Sequence, residues 1–280
     1  NCKEYAEKMA LWNNTIPLTW FRVNNLTYNK KSFISFLISN KISFNQYKYN
    51  DIYFTTKQSH SLINCKLFKE GKITVQNPFS GFVCKLVNPQ ENDIIIDACA
   101  SPGGKTSYLA ELMHNKSTLY AHDLNNKRLK LLNDTLFRMK LSNINVSKKE
   151  VSFDKLNFAN KILLDVPCSG TGVLNKYPDI KWRKNKLDIN EMVEIQKKIL
   201  INTSKFLKKG GSIVYSTCSV EKEENDSVIK WFLNKNSNFH IKNITNIIPD
   251  RFINNNGFFS TIPYQDNIDG GFAAVLTRNA

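Results

Sequence analysis

The chain has 280 residues, of which 41% are hydrophobic and 11% aromatic, enough to bury a core in one large domain or one large and one small, without disulfides or metal to help. Its 39 basic residues against 24 acidic ones give a net charge of +15, which points to a polyanionic partner such as nucleic acid. Only six of the basic residues are Arg, however, and 36 Asn beside 33 Lys also fit an A-rich coding bias that adds Lys at any solvated site. No apolar run reaches 18 residues, which excludes a transmembrane helix. The opening Asn-Cys-Lys-Glu-Tyr, with neither an initiator Met nor a secretion signal, reads as a boundary inside a longer chain. A cytoplasmic monomer with no membrane contact is expected.

In chain order, residues 1–15 read as the end of a helix closed before Pro17. A mixed stretch follows to about Lys72: apolar Trp20–Val23, helical Lys31–Asn40, then β-like pieces near Ile52–Thr56. This predicts a small α+β unit over 1–72, similar to an RNA-recognition fold. From Ile73 to residue 280 the rhythm becomes strand, turn, helix. Ile94–Asp97 is a short buried strand, Gly103-Gly104 opens a helix to about His114, and Thr118–His122 is strand-like. Asn125–Lys140 is helical with Leu129, Leu132, Leu136 and Met139 on one face, and Ile144–Val146 is a weak strand. Ile162–Asp165 is a strong strand. Asp188–Leu207 predicts a long helix ended by Lys208-Lys209-Gly210-Gly211. Ser212–Ser216 is the next strand, followed by a helix with Glu221, Glu223 and Glu224 in its first turn, and Phe272–Leu276 closes the chain as a strand. Such alternation predicts an α/β fold with an open, mostly parallel sheet, whose ligands sit at the carboxyl ends of its strands.

The unusual residue clusters fall at those ends. Asp97-Ala98-Cys99-Ala100-Ser101-Pro102-Gly103-Gly104-Lys105-Thr106 joins a strand to a helix with small residues, which lets a ligand approach the backbone closely. It is neither a Walker A loop nor G-x-G-x-x-G. Asp123 ends the next strand, where an acidic side chain commonly grips ribose hydroxyls, so a nucleoside-containing cofactor is expected. A tight turn with a capping Asp is the plainer alternative. Asp165-Val166-Pro167-Cys168-Ser169-Gly170-Thr171-Gly172 and Tyr215-Ser216-Thr217-Cys218-Ser219 place a carboxylate and two thiols at neighbouring strand ends. Either thiol alone would read as a small core residue. The six cysteines (2, 65, 84, 99, 168 and 218) form no C-x-x-C and the four His are scattered, so neither zinc nor a disulfide framework is expected.

Asp97–Lys105, Asp165–Gly172 and Ser216–Ser219 resemble the motifs of the RNA cytosine-C5 methyltransferases of the Fmu/Sun (RsmB-like) family. The likeness continues in order through Trp20–Asn24, Thr74–Asn77, Pro178–Trp182, Ile262-Pro263 and Asp269–Phe272, and covers about residues 15–278. Pro178–Trp182 is most like the bacterial small-subunit rRNA enzymes. Gly271 departs from the pattern, since an aromatic is usual there. The all-helical RNA-binding domain that often precedes this core is absent from the 280 residues.

The resemblance implies a Rossmann-like sheet that binds S-adenosylmethionine through Cys99, Ala100, Ser101, Pro102, Gly103, Gly104, Lys105, Asp123, Arg128 and Asp165. A third acidic contact would be Glu150, with Asp154 as the alternative. It also implies that the Cys218 thiolate attacks C6 of a cytosine, that Asp165 bonds the base near N3 and N4, that Cys168 takes part in release, and that Lys105 supports Asp165 or lowers a thiol pKa. The expected partner is RNA, and rRNA in particular, with the basic excess and the small N-terminal unit (Arg22, Lys30 and Lys31) supplying part of the surface. Competing readings are a tRNA methyltransferase, a DNA cytosine-C5 methyltransferase, in which Cys168 would be the nucleophile, and a non-catalytic RNA-binding ribosome-assembly factor.

Overall fold

The computed structural model describes residues 2–148 and 155–280. Helix α1 (Cys2–Trp12) leads to β1 (Trp20–Val23), and α2 (Lys30–Ser39) starts where the Asn29 side chain accepts from the backbone N–H of Ser32 at 2.8 Å. The unit continues with β2 (Asn45–Gln46), β3 (Tyr53–Thr55), short helices α3 (Ser59–Asn64) and α4 (Lys66–Lys69), and β4 (Ile73–Val75). These strands form an antiparallel sheet in the order β2-β3-β1-β4. Because β4 pairs with β1 (Phe21 opposite Val75), the small sheet takes in residues 73–75, beyond the boundary expected at Lys72.

Alternation along β1 and β3 sends side chains to opposite faces, and both faces are covered. Phe21, Val23 and Phe54 pack with Phe33 and Leu37 of α2, while Trp20 and Tyr53 join the core of the larger unit beside Phe79 and Phe82. None of these aromatics is free to stack on a base as the sheet aromatics of an RNA-recognition fold do. Arg22, expected on an RNA-facing surface, is wholly buried. It points into the seam between the two units, where a charged side chain can persist only if paired.

The larger unit begins with α5 (Pro78–Val87), capped by Asn77, whose side chain accepts from the Phe79 N–H at 3.0 Å. Then come β5 (Ile94–Asp97), α6 (Gly104–Leu112), β6 (Thr118–His122), α7 (Asn126–Arg138), β7 (Ile144–Ser147) and β8 (Ala159–Asp165). The remaining elements are α8 (Ile180–Arg183), α9 (Lys186–Ser204), β9 (Leu207–Thr217), α10 (Asp226–Lys235), β10 (Phe239–Ile241), β11 (Phe259–Thr261), α11 (Pro263–Asp266) and β12 (Gly271–Arg278). Two expectations are corrected here. Helix α9 stops at Ser204, and Lys208–Gly211 lie within β9, where the pairing jumps from Ala159–Leu207 to Lys161–Ser212 and leaves the four residues as a bulge. Helix α10 begins only at Asp226, so Glu221, Glu223 and Glu224 precede it; Glu224 is buried rather than facing solvent at a helix start.

The main sheet runs β10-β12-β9-β8-β5-β6-β7, with β11 paired to β12. Strands β9 through β7 are parallel, β12 runs against them, and β10, antiparallel to β12, points the same way as β9. Successive residues feed two cores: Ile95, Leu163, Val214 and Val275 on one face, and Ile96, Ile162, Leu164 and Ile213 on the other. This is a Rossmann-like fold. The chain builds outward from β5 to β7, then returns to β8 on the other side of β5. Where the winding reverses, the loops leaving β5 and β8 part and open a crevice above Asp97 and Asp165.

Candidate active site

A cavity of about 780 Å³ occupies that crevice. Cys99, Ser101, Pro102 and Lys105 from the β5–α6 loop, Asp123 after β6 and Arg128 from α7 line one end. Asp165 and Cys168 from the β8 loop and Cys218 from the β9 loop line the other. Cys99 and Cys218, 119 positions apart in the sequence, therefore line one cavity. Ala100, Gly103 and Gly104 shape the same loop from behind, whereas Glu150 and Asp154 lie outside the described residues.

The β5–α6 loop is a close-approach cradle. Gly103 has φ of +100°, and a Cβ there would sit 2.9 Å from Leu132, so only glycine turns the chain into α6 at this point. Asp97 is buried beneath the loop, and burial pushes its carboxyl up to about 7, although the Thr106 hydroxyl donating to it at 2.8 Å pulls the other way. Asp123 accepts from the N–H groups of Ser101 (3.3 Å) and Asn125 (2.9 Å), with the Arg128 guanidinium 3.5 Å away. Arg128 in turn donates to the Ser101 carbonyl at 2.8 Å and ties α7 to the loop. The Ser101 hydroxyl is buried at this wall without a hydrogen-bond partner. A carboxylate with spare acceptor sites, a waiting hydroxyl and exposed backbone fit the ribose and backbone contacts of a nucleoside-containing cofactor.

The second end of the cavity is electrostatic. The Lys105 ammonium donates to Asp165 Oδ2 at 2.6 Å, and the Ser216 hydroxyl donates to Oδ1 at 2.7 Å. Burial works against the charge on Lys105, but Asp165 outweighs it and raises the pKa of the amine. The Cys168 and Cys218 sulfurs are 3.1 Å apart, and both thiols are free. The hydrogen bond to Cys218, then burial, then the charges of Cys218, Glu224 and Asp165 hold the Cys168 thiol well above the ordinary range. Cys168 thus keeps its proton within hydrogen-bond reach of the Cys218 sulfur. Burial raises the thiols of Cys84 and Cys99 as well.

Comparison with known proteins bears on the same residues. The sequence matches the family described as 16S rRNA methyltransferase RsmB/F over residues 84–277. The chain belongs to that family. It is 33% identical over 265 residues to the ribosomal RNA small subunit methyltransferase B of Proteus mirabilis, covering 92% of this chain and 62% of that one. It is 32% identical over 273 residues to the same-named protein of Pectobacterium atrosepticum, covering 95% and 61%. The chain thus spans about three fifths of the length of these relatives. Among solved structures, a methyltransferase homolog protein from Pyrococcus horikoshii superposes with a TM-score of 0.82 at 26% identity, covering 99% of this chain and 91% of that one.

This RsmB/F-family chain also uses residues outside the three strand-end clusters. Glu224, wholly buried, accepts from the Ser169 N–H at 2.8 Å, the Ser169 hydroxyl at 2.5 Å and the Gln196 amide at 3.0 Å, so it clamps the loop that carries Cys168. Gln196 also donates to the Pro167 carbonyl at 2.9 Å. A buried Gln on an amphipathic helix and a third Glu in an acidic run carry no sequence signal of this role. Gln76 donates to the Gly104 carbonyl at 2.7 Å, and Asn77 accepts from the Asp269 N–H at 3.2 Å, so adjacent residues hold both walls of the cavity. Asp269 meets the Lys176 ammonium at 2.6 Å at its rim. The glycine at 271 has a steric cause: a Cβ there would lie 2.4 Å from the Phe79 ring and 2.6 Å from the Thr217 carbonyl oxygen.

Proposed function

We propose that this chain transfers a methyl group from S-adenosylmethionine to C5 of a cytosine in RNA, in small-subunit ribosomal RNA, through a covalent bond between Cys218 and C6. The reading rests on one observation above all. A proton-holding thiol, a second thiol 3.1 Å from it and a lysine–aspartate pair converge at one end of a cavity whose other end is a nucleoside cradle. S-adenosylmethionine, when bound, supplies an electrophilic methyl on a sulfonium. Cys99–Lys105, Asp123 and Arg128 would hold it. The names of the relatives, as ribosomal RNA small subunit methyltransferases, support the choice of RNA.

Cytosine C5 is too weak a nucleophile to take a methyl group unaided. Addition of the Cys218 sulfur to C6 makes the ring enamine-like and moves electron density to C5, which splits one difficult step into easier ones. Asp165, already fixed by Lys105 and Ser216, is placed to accept from the exocyclic amine and hold the base edge. Lys105 adds positive charge where negative charge gathers on the ring and on the sulfur. After transfer, the C5 proton passes to solvent, its C–H electron pair re-forms the C5–C6 double bond, and the Cys218 sulfur leaves with the C6–S electron pair, which restores aromaticity. Cys168, donating its S–H to that sulfur, makes it a better leaving group. The base must be unpaired or turned out of its helix to reach the cavity.

The two thiols give the test. Cys218→Ala binds cofactor and RNA, forms no adduct, and loses methyl transfer by roughly ten-thousand-fold or more. Cys168→Ala still attacks and methylates but stalls before the C6–sulfur bond breaks, and accumulates a protein–RNA complex that survives denaturing electrophoresis. An adduct trapped by Cys218→Ala and not by Cys168→Ala reverses the nucleophile. Radiolabel passing from the cofactor to DNA and not to RNA overturns the substrate.

A further inference from the structure

Residues 173–182 form a ridge with two sides. Val173, Lys176 and Tyr177 face the active-site cavity, whereas Leu174, Pro178, Lys181 and Trp182 line a separate groove of about 520 Å³ whose far wall is Ala10 of α1 with Asn13 and Asn14 of the turn after it. Trp182 is 89% exposed, unlike the chain's other tryptophans: Trp20 is buried, and Trp12 and Trp231 are half-buried. Lys181 fixes the ridge to the turn that follows α1, donating to the Asn13 carbonyl at 3.0 Å and the Asn14 side chain at 2.8 Å. Residues 176–188 carry five basic side chains and two acidic ones, and Arg183, Lys184 and Lys186 are all exposed. A large indole held in water on a positive ridge, one turn from the cavity, has no packing role in the chain.

We propose that Trp182 is the stacking platform for an unpaired nucleotide next to the target cytosine, with the RNA backbone crossing the ridge along Arg183, Lys184 and Lys186. This rests on the reading of RNA as substrate. A target base that leaves its stack exposes its neighbours, and an aromatic side chain on a cationic surface captures such a neighbour whatever its identity, because every base offers a π-face. The charge selects a polyanion. The two sides of the ridge then divide the work: the cavity takes the base that reacts, and the groove holds the strand beside it.

The test uses the 280-residue chain, a labelled single-stranded RNA oligonucleotide containing one cytosine among uridines, and the same oligonucleotide as methyl acceptor. Trp182→Ala should weaken binding roughly five- to a hundredfold and raise KM for RNA in step, with affinity for S-adenosylmethionine unchanged. Trp182→Phe should stay within about threefold of the parent, since the ring face does the work. The log–log salt dependence should keep its slope in Trp182→Ala and become shallower in an Arg183→Ala, Lys184→Ala double variant. If the parent methylates RNA and Trp182→Ala matches it in affinity and KM, the platform is overturned while the proposed function stands. If the parent neither binds nor methylates RNA, both fall. If Trp182→Ala instead abolishes self-association in sedimentation and leaves RNA affinity untouched, the face belongs to a second copy of the chain and the proposal is overturned.

Discussion

At the ends of β5 and β8, Lys105 and Asp165 pair at 2.6 Å with water still reaching both side chains. Behind α6, Arg22 and Glu111 pair in a space closed to solvent, where the Arg22 Nε–H also donates to Gln76 at 2.6 Å and the guanidinium lies 4.2 Å above the Tyr108 ring. Both pairs join a cation to a carboxylate from distant parts of the chain, and both involve residues in the family-like motifs. Only one faces a cavity. The open pair keeps acceptor and donor sites within reach of a ligand; the closed one is shut away from any ligand, and serves to lock the small N-terminal sheet onto α6. A charged residue in a motif therefore belongs to chemistry or to architecture according to whether a ligand can reach it.

Breaking the closed pair should cost stability, not chemistry. Arg22→Ala leaves Glu111 and Gln76 buried without their partner, a loss of about 3–5 kcal/mol in urea unfolding. Folded Arg22→Ala at low temperature should keep the RNA-binding salt slope of the parent, because Arg22 touches no phosphate. A shallower slope would return Arg22 to the RNA surface and dissolve the contrast. Replacing Arg22 with Met and Glu111 with Leu together should recover most of the stability, since a packed apolar pair does without desolvated charge.

A smaller effect is expected at the cradle. Asp123→Ala removes an acceptor for ribose hydroxyls and should weaken S-adenosylmethionine binding by roughly 1–3 kcal/mol in calorimetry. Unfolding should change less than for Arg22→Ala, because Asp123 lines the cavity instead of filling the core. Equal cofactor affinity for the variant and the parent would remove Asp123 from the binding surface.

The most gradual effect is a titration. Burial raises Asp97 in the folded chain to about 7, against 3.8 for the unfolded group, so the native state holds its proton more tightly. The stability from that proton is complete below about pH 4 and is lost as pH rises through about 7, at no more than about 1.4 kcal/mol per pH unit. Asp97→Asn keeps an acceptor for the Thr106 hydroxyl and should flatten this part of the profile. A variant whose unfolding free energy follows the parent's pH dependence between pH 4 and 7 would place the titrating group elsewhere.

The sequence by itself determined the strand–helix rhythm, the three strand-end clusters and their family. Those signals are local: hydrophobic periodicity, turn residues, and side chains that chemistry requires at a fixed offset from a strand. Ile94–Asp97 and Thr118–His122 are strands over the residues that alternation and apolar runs mark out. Lys208–Gly211 misled, because Lys and Gly after an amphipathic run describe a helix end as well as a bulged strand, and only pairing with β8 separates them. Which charges are open and which closed was likewise a tertiary decision. Arg22 reads as a binding residue until β1 packs against α6, and Glu224 reads as a solvated helix start until the β9 loop folds over Ser169. Burial depends on what the rest of the chain lays over a side chain, and no local pattern records that.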